Sequence, residues 1–212
     1  MADINKIIPF FIKWESGLPV KYRSLPVREQ FEMARQTAFA NDPADSGGAT
    51  MCGVTIGTFT SYRKKVGKPA PTVADLKNIT FDEWLDILRT LYWNRWKADQ
   101  IKSQKIANIL VDWVWGSGVY GIKIPQRALR LNPDGIVGPK TLATINNLDP
   151  NVLYKALYDL RVDYFNDIIA RSVAQYEMKI GRKATDKELK KYTYVRFKIG
   201  WMNRLNDIIN IK

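Results

Sequence analysis

The run Asn41-Asp42-Pro43-Ala44-Asp45-Ser46-Gly47-Gly48-Ala49-Thr50, followed almost at once by Gly53-Val54-Thr55, decides how this chain is read. Two carboxylates stand on a turn built from Pro and Gly, and a hydroxyl follows them. The short, β-branched, glycine-bounded stretch 53–57 then reads as one arm of a small β-hairpin. Toward the N-terminus, residues 3–15 set Ile4, Ile7, Ile8, Phe11, Ile12 and Trp14 at helical spacing, with a kink expected at Pro9. That segment ends on Glu15, a carboxyl beside Trp14. Splitting a glycosidic bond needs a protonated acid on one side and a carboxylate or a held water on the other.

What the chain lacks narrows the chemistry further. It has no histidine and one cysteine, Cys52. A Ser-His-Asp triad or a Cys-His dyad has no imidazole to serve as base. Zinc sites built on His ligands are excluded, and one thiol makes no structural zinc site. The phosphate-cradling patterns G-x-x-x-x-G-K-[ST] and G-x-G-x-x-G are absent. Asp, Glu, Lys and Tyr remain for acid–base work, and among enzymes that set points first to glycosidases. Asp42, Ala44, Ser46 and Gly47 do not alternate oxygen ligands as a calcium loop does, so no metal and no cofactor is expected.

The 212 residues are 46% apolar with 7 Trp, 10 Tyr and 8 Phe, the composition of a folded chain. No apolar run is long enough to span a membrane, and no signal peptide is read from the first residues. The expectation is synthesis in the cytoplasm and action at the cell wall or periplasm after holin-type or other non-classical export. Net charge is +12. Residues 1–100 hold 14 Lys+Arg against 11 Asp+Glu, and residues 101–212 hold 19 against 10. Between 179 and 198, eight Lys or Arg face only Asp186 and Glu188. Such a surface attracts anionic wall polymers or other polyanions, or simply keeps a helix face solvated. No nucleic-acid-binding module is recognisable, so no specific nucleic acid is expected.

The coarse pattern is mainly α. Helices are expected over 3–15, 26–39, 81–97 (capped by Thr80 with Glu83), 103–115, 122–131 and 139–147. A long helix follows from Asp149-Pro150 to about 178, and a last one is capped by Thr185 with Glu188 and weakened by Gly200. A domain seam is expected near Lys97–Lys102, dividing the chain into 1–100 and 101–212.

Trp14-Glu15-Ser16-Gly17, Asp42-Pro43-Ala44-Asp45-Ser46-Gly47-Gly48-Ala49-Thr50 and Gly53-Val54-Thr55 resemble the signature of glycoside hydrolase family 108. Its pattern is E-G-G, then D-P-x-D-x-G-G-x-T, then G-[IV]-T. The resemblance implies an N-acetylmuramidase of lysozyme-like fold, of the kind found among phage endolysins. Asp112-Trp113-Val114-Trp115-Gly116-Ser117-Gly118, Gln126, Asp134-Gly135-Ile136-Val137-Gly138-Pro139-Lys140-Thr141-Leu142 and Gly200-Trp201-Met202-Asn203-Arg204 are similar to the peptidoglycan-binding domain that follows in such proteins. Two departures stand out. Ser16 stands at the first glycine of E-G-G, and Asp45 follows Glu15 by 30 positions, so 18–40 reads as an inserted helical excursion, a cheap change for a loop.

On this reading Glu15 is the general acid, its apolar setting favouring the protonated form; the plainer alternative is an exposed charge at a helix end. Asp45 is the second carboxylate, or an Asp bonding its own turn. Thr50 orients the attacking water, or merely favours a strand. Asp42, Gly47 and Gly48 line the substrate, Asp42 with a strong structural alternative. One of Trp113 and Trp115 faces a groove, since both cannot point the same way along a helix; most of the other Trp are expected in the core. The substrate implied is the glycan strand of peptidoglycan. A lytic transglycosylase using Glu15 alone and a non-catalytic peptidoglycan-binding module both remain open.

Overall fold

The computed structural model describes residues 1–41 and 48–211, which form two compact units, Met1–Lys102 and Ser103–Ile211. In the first unit, Asp3 caps a 3-10 turn at Ile4–Lys6 and α1 then runs Ile8–Ser16 with Pro9 in its opening turn. The kink expected at Pro9 is therefore a helix start, where a missing N–H costs nothing. Ile8, Phe11 and Ile12 are buried, and Gly17 ends the helix at φ +65°.

Helix α2 (Val27–Arg35) is shorter than the expected 26–39 helix, and Phe39–Ala40 is strand β1 instead. It pairs antiparallel with β2 (Thr50–Met51), which pairs with β3 (Val54–Thr55), so the expected hairpin gains a third strand. The open edge of β2 supplied ladder partners that outweighed helical continuation. Residues 18–40 are built into the first unit. Phe31 of α2 packs on Phe81 and Trp84 at 5.6 and 5.4 Å, and β1 completes the sheet.

Beyond the sheet come α3 (Ile56–Lys65), capped by Thr55, and α4 (Val73–Lys77), which has a full Thr72/Asp75 capping box. The helix expected over 81–97 is α5 (Phe81–Leu88) followed by a π turn at Arg89–Trp93. The wider turn lets Trp93 and Trp96 both enter the core, with Trp93 Nε1 donating to Asp99 at 2.9 Å.

The second unit is built around α6 (Gln104–Ser117), buried continuously from Ile106 to Val114. It packs against α7 (Tyr120–Ala128) and the 31-residue α9 (Pro150–Ile180); α8 (Pro139–Asn147) lies between them in sequence. Asp149 caps α9 by accepting from the N–H groups of Asn151 and Val152. The last expected helix is divided. A Thr185/Glu188 capping box starts α10 (Asp186–Tyr192), Thr193 is extended, and a 3-10 turn at Tyr194–Phe197 leads to α11 (Lys198–Asp207). The Thr193 hydroxyl donates to Leu189 O at 2.6 Å and accepts from Val195 N, closing one helix and capping the next turn.

Candidate active site

Glu15 lies in the last turn of α1, half-buried. Next to it in the chain, Trp14 leans on Phe10 at 6.3 Å under the Lys13 ammonium, and Ser16 Oγ donates back to Ile12 O. Its carboxyl meets the turn between β2 and β3. There the register Met51↔Val54 leaves a two-residue loop, Cys52-Gly53, with φ +45° and +76°. Positive φ at both central residues marks the type I′ turn that suits the twist of a hairpin. A Cβ added to Gly53 would stand 2.3 Å from Glu15 Oε2 and 2.6 Å from its carboxyl carbon. Gly53 is favoured by its backbone angle, and a side chain there would push the Glu15 carboxyl out of its place.

The turn is held from below. Trp84 Nε1 donates to Cys52 O at 3.0 Å, with Trp84 fully buried. The Cys52 thiol is pushed up to about 12 by burial and by the Glu15 charge beside it, so it is no thiolate nucleophile at neutral pH. Tyr92 is raised too, first by burial, then by Glu15, against a hydrogen bond from Thr58. The Glu32–Arg35 ion pair, 3.1 Å, also acts on Cys52. Glu15 thus lies at the end of α1 with its carboxyl beside the Cys52-Gly53 turn and near Tyr92.

Thr50 is half-buried on β2, opposite Ala40 and Thr55, and its hydroxyl reaches Gly48 O at 3.4 Å. Gly48 has φ +67°, a left-handed conformation that favours glycine. Asp42, Asp45 and Gly47 lie outside the described residues. Trp113 is fully buried in the second unit, against Tyr164 at 6.1 Å. That removes it as a groove-lining ring, because a ring enclosed by α9 cannot stack on a sugar. Trp115, two residues on, is half-buried. The contribution of Gly53, Tyr92 and Trp84 was not read from the sequence. The two-residue spacing between Met51 and Val54 was the available sign for the turn, whereas nothing local announces a π turn that delivers Tyr92.

The motifs of the second half prove to be fold determinants. Gln126, buried, donates from Nε2 to Asp134 Oδ1 and Ile136 O and accepts from Gly135 N, each at 2.9 Å. Gly135 has φ +81°, and a Cβ there would meet Val119 Cγ2 at 2.6 Å. Asp112 is fully buried on α6. Arg204 of α11 donates to its Oδ1 at 2.7 and 2.9 Å, and Arg161 Nη2 of α9 lies 2.6 Å from Oδ2, a close ion pair without hydrogen-bond alignment. Burial pushes the Asp112 carboxyl up, yet the two guanidiniums outweigh it and hold it below the usual range.

The fold is shared with a solved structure described as "Structure of Brucella abortus SagA", at 23% identity over 80% of this chain and 82% of that one, with a TM-score of 0.59. None of the curated proteins matches the chain. Residues 31–118 match the family described as Glycosyl hydrolase 108, and residues 120–206 match the Predicted Peptidoglycan domain. The class this defines is a glycoside hydrolase acting on peptidoglycan. A region matching Glycosyl hydrolase 108 thus precedes a region matching the Predicted Peptidoglycan domain, the order expected from the motifs. Asp112–Gly118 falls inside the hydrolase match, a correction to its reading as part of the peptidoglycan domain. Helix α6 accordingly belongs to the hydrolase match while packing in the second compact unit.

Proposed function

We propose that the protein is an N-acetylmuramidase, cleaving the β-1,4 bond between N-acetylmuramic acid and N-acetylglucosamine with Glu15 as its general acid. The observation that carries this is the Glu15 carboxyl lying against the Cys52-Gly53 turn, where a Cβ at Gly53 would displace it. Glu15 gives its proton to the glycosidic oxygen as the bond from the anomeric carbon breaks. A water, oriented near Thr50 and Asp45, forms the new bond to that carbon and releases a proton to a carboxylate. Glu15 is then reprotonated from solvent. The place of action is the cell wall or periplasm, reached by holin-type or other non-classical export.

Digestion of purified peptidoglycan followed by borohydride reduction and mass spectrometry tests which bond is cut. Reduced muramic acid ends are expected. Reduced glucosamine ends would contradict the bond assignment, and anhydro-muramic ends would assign transglycosylase chemistry instead.

A further inference from the structure

Within the second unit, α7 and α9 leave a groove of about 470 Å³ between two facing helix stripes. The α7 wall carries Lys123 and Arg127, one turn apart, and no acid. The α9 wall carries Asp163 and Asp167, also one turn apart, with Arg171 one turn further. Arg171 is 3.9 Å from Asp167 along its own helix. Among the described residues no ion pair within 4.0 Å crosses from Lys123 or Arg127 to Asp163 or Asp167. Facing walls of opposite sign that do not close on each other leave Lys123, Arg127 and Asp163 to be met by a third body, while Asp167 is met in part by Arg171. Between the walls, Tyr120 and Tyr164 lie 6.4 Å apart at 31°, with Tyr120 58% exposed.

We infer that this groove binds the peptide stem of peptidoglycan rather than its glycan. This builds on the reading of the protein as a peptidoglycan hydrolase. A stem containing a diamino acid carries carboxylates and a free amine on one short chain. Its carboxylates meet Lys123 and Arg127, its ammonium meets Asp163 and Asp167, and its methylenes lie on the two tyrosine rings. A glycan strand freed of peptide brings no ammonium and leaves the acidic wall unanswered.

The test uses the full chain and a synthetic tetrapeptide, L-Ala-γ-D-Glu-meso-diaminopimelate-D-Ala, with binding followed by calorimetry and by NMR shifts of the tyrosine rings. Saturable binding that moves Tyr120 and Tyr164 is expected. Arg127→Glu and Asp163→Lys, both at exposed positions, should each weaken it by at least about tenfold. Acetylating the diaminopimelate amine should mimic Asp163→Lys. No saturable binding, or equal binding to all three proteins, would overturn the inference, as would shifts at the tyrosines produced by peptide-free glycan instead. Hydrolysis of sacculi without peptide binding would sink the groove and leave the hydrolase reading standing. Peptide binding without hydrolysis would do the reverse.

Discussion

The Glu15 carboxyl lies where a side chain at Gly53 would stand. Replacing Gly53 with alanine puts a methyl carbon 2.3 Å from Glu15 Oε2 and forces an L-residue to hold φ +76°. The backbone component alone costs about 1–2 kcal/mol. Because a misplacement of about 1 Å can cost roughly 100-fold, Gly53→Ala should lower turnover on peptidoglycan by at least about that factor while the helical circular dichroism persists. The clash predicts coupling: in a Glu15→Ala background, Gly53→Ala should cost less stability than it does alone, and strict additivity in urea unfolding would count against the contact. At this scale the sequence singled out Glu15 through its apolar stripe and Thr50 through the Gly47-Gly48-Ala49-Thr50 run. It did not show that Tyr92 comes near Glu15, which depends on a π turn, and it left open which of Trp113 and Trp115 faces a groove, because helical spacing separates two rings without saying which is enclosed.

At the scale of elements, most helices were legible because their caps are local chemistry. Asp149 with Pro150, Thr80 before α5 and Thr185 with Glu188 each mark a start that needs no tertiary information. Ends and breaks were not, because partners distant in sequence impose them. Strand β1 forms where β2 offers a ladder, and α10 stops where Ser172 Oγ accepts from Tyr194 N at 3.0 Å. The Asp112–Arg161–Arg204 cluster ties α6, α9 and α11 together in the same way. Asp112→Asn leaves two guanidiniums without their counter-charge and should destabilise the second unit by about 3–5 kcal/mol, measurable by urea or thermal unfolding. The pH dependence follows from the lowered carboxyl. Its contribution is complete above the ordinary Asp value of about 4 and is lost as pH falls through the depressed one, so wild type and Asp112→Asn should converge in stability only in strong acid. A gap that closed on raising the pH instead would contradict that sign.

For the whole molecule, the order of a hydrolase region before a peptidoglycan region was legible from motif chemistry, and the family matches give the same order. The boundary was less legible, since α6 matches the hydrolase family yet builds the core of the second unit. The match begins at residue 31, inside α2, so Glu15 lies outside it and is joined to the matched hairpin by its contact with Gly53. The central claim is that this contact creates the general acid. Digestion of purified peptidoglycan by wild type and Glu15→Gln side by side tests it most directly. A general acid contributes about 10²–10⁴-fold, and glutamine keeps the shape while losing the proton. The account predicts a loss in that range with sacculus binding intact; a Glu15→Gln protein that releases muropeptides at the wild-type rate would contradict it.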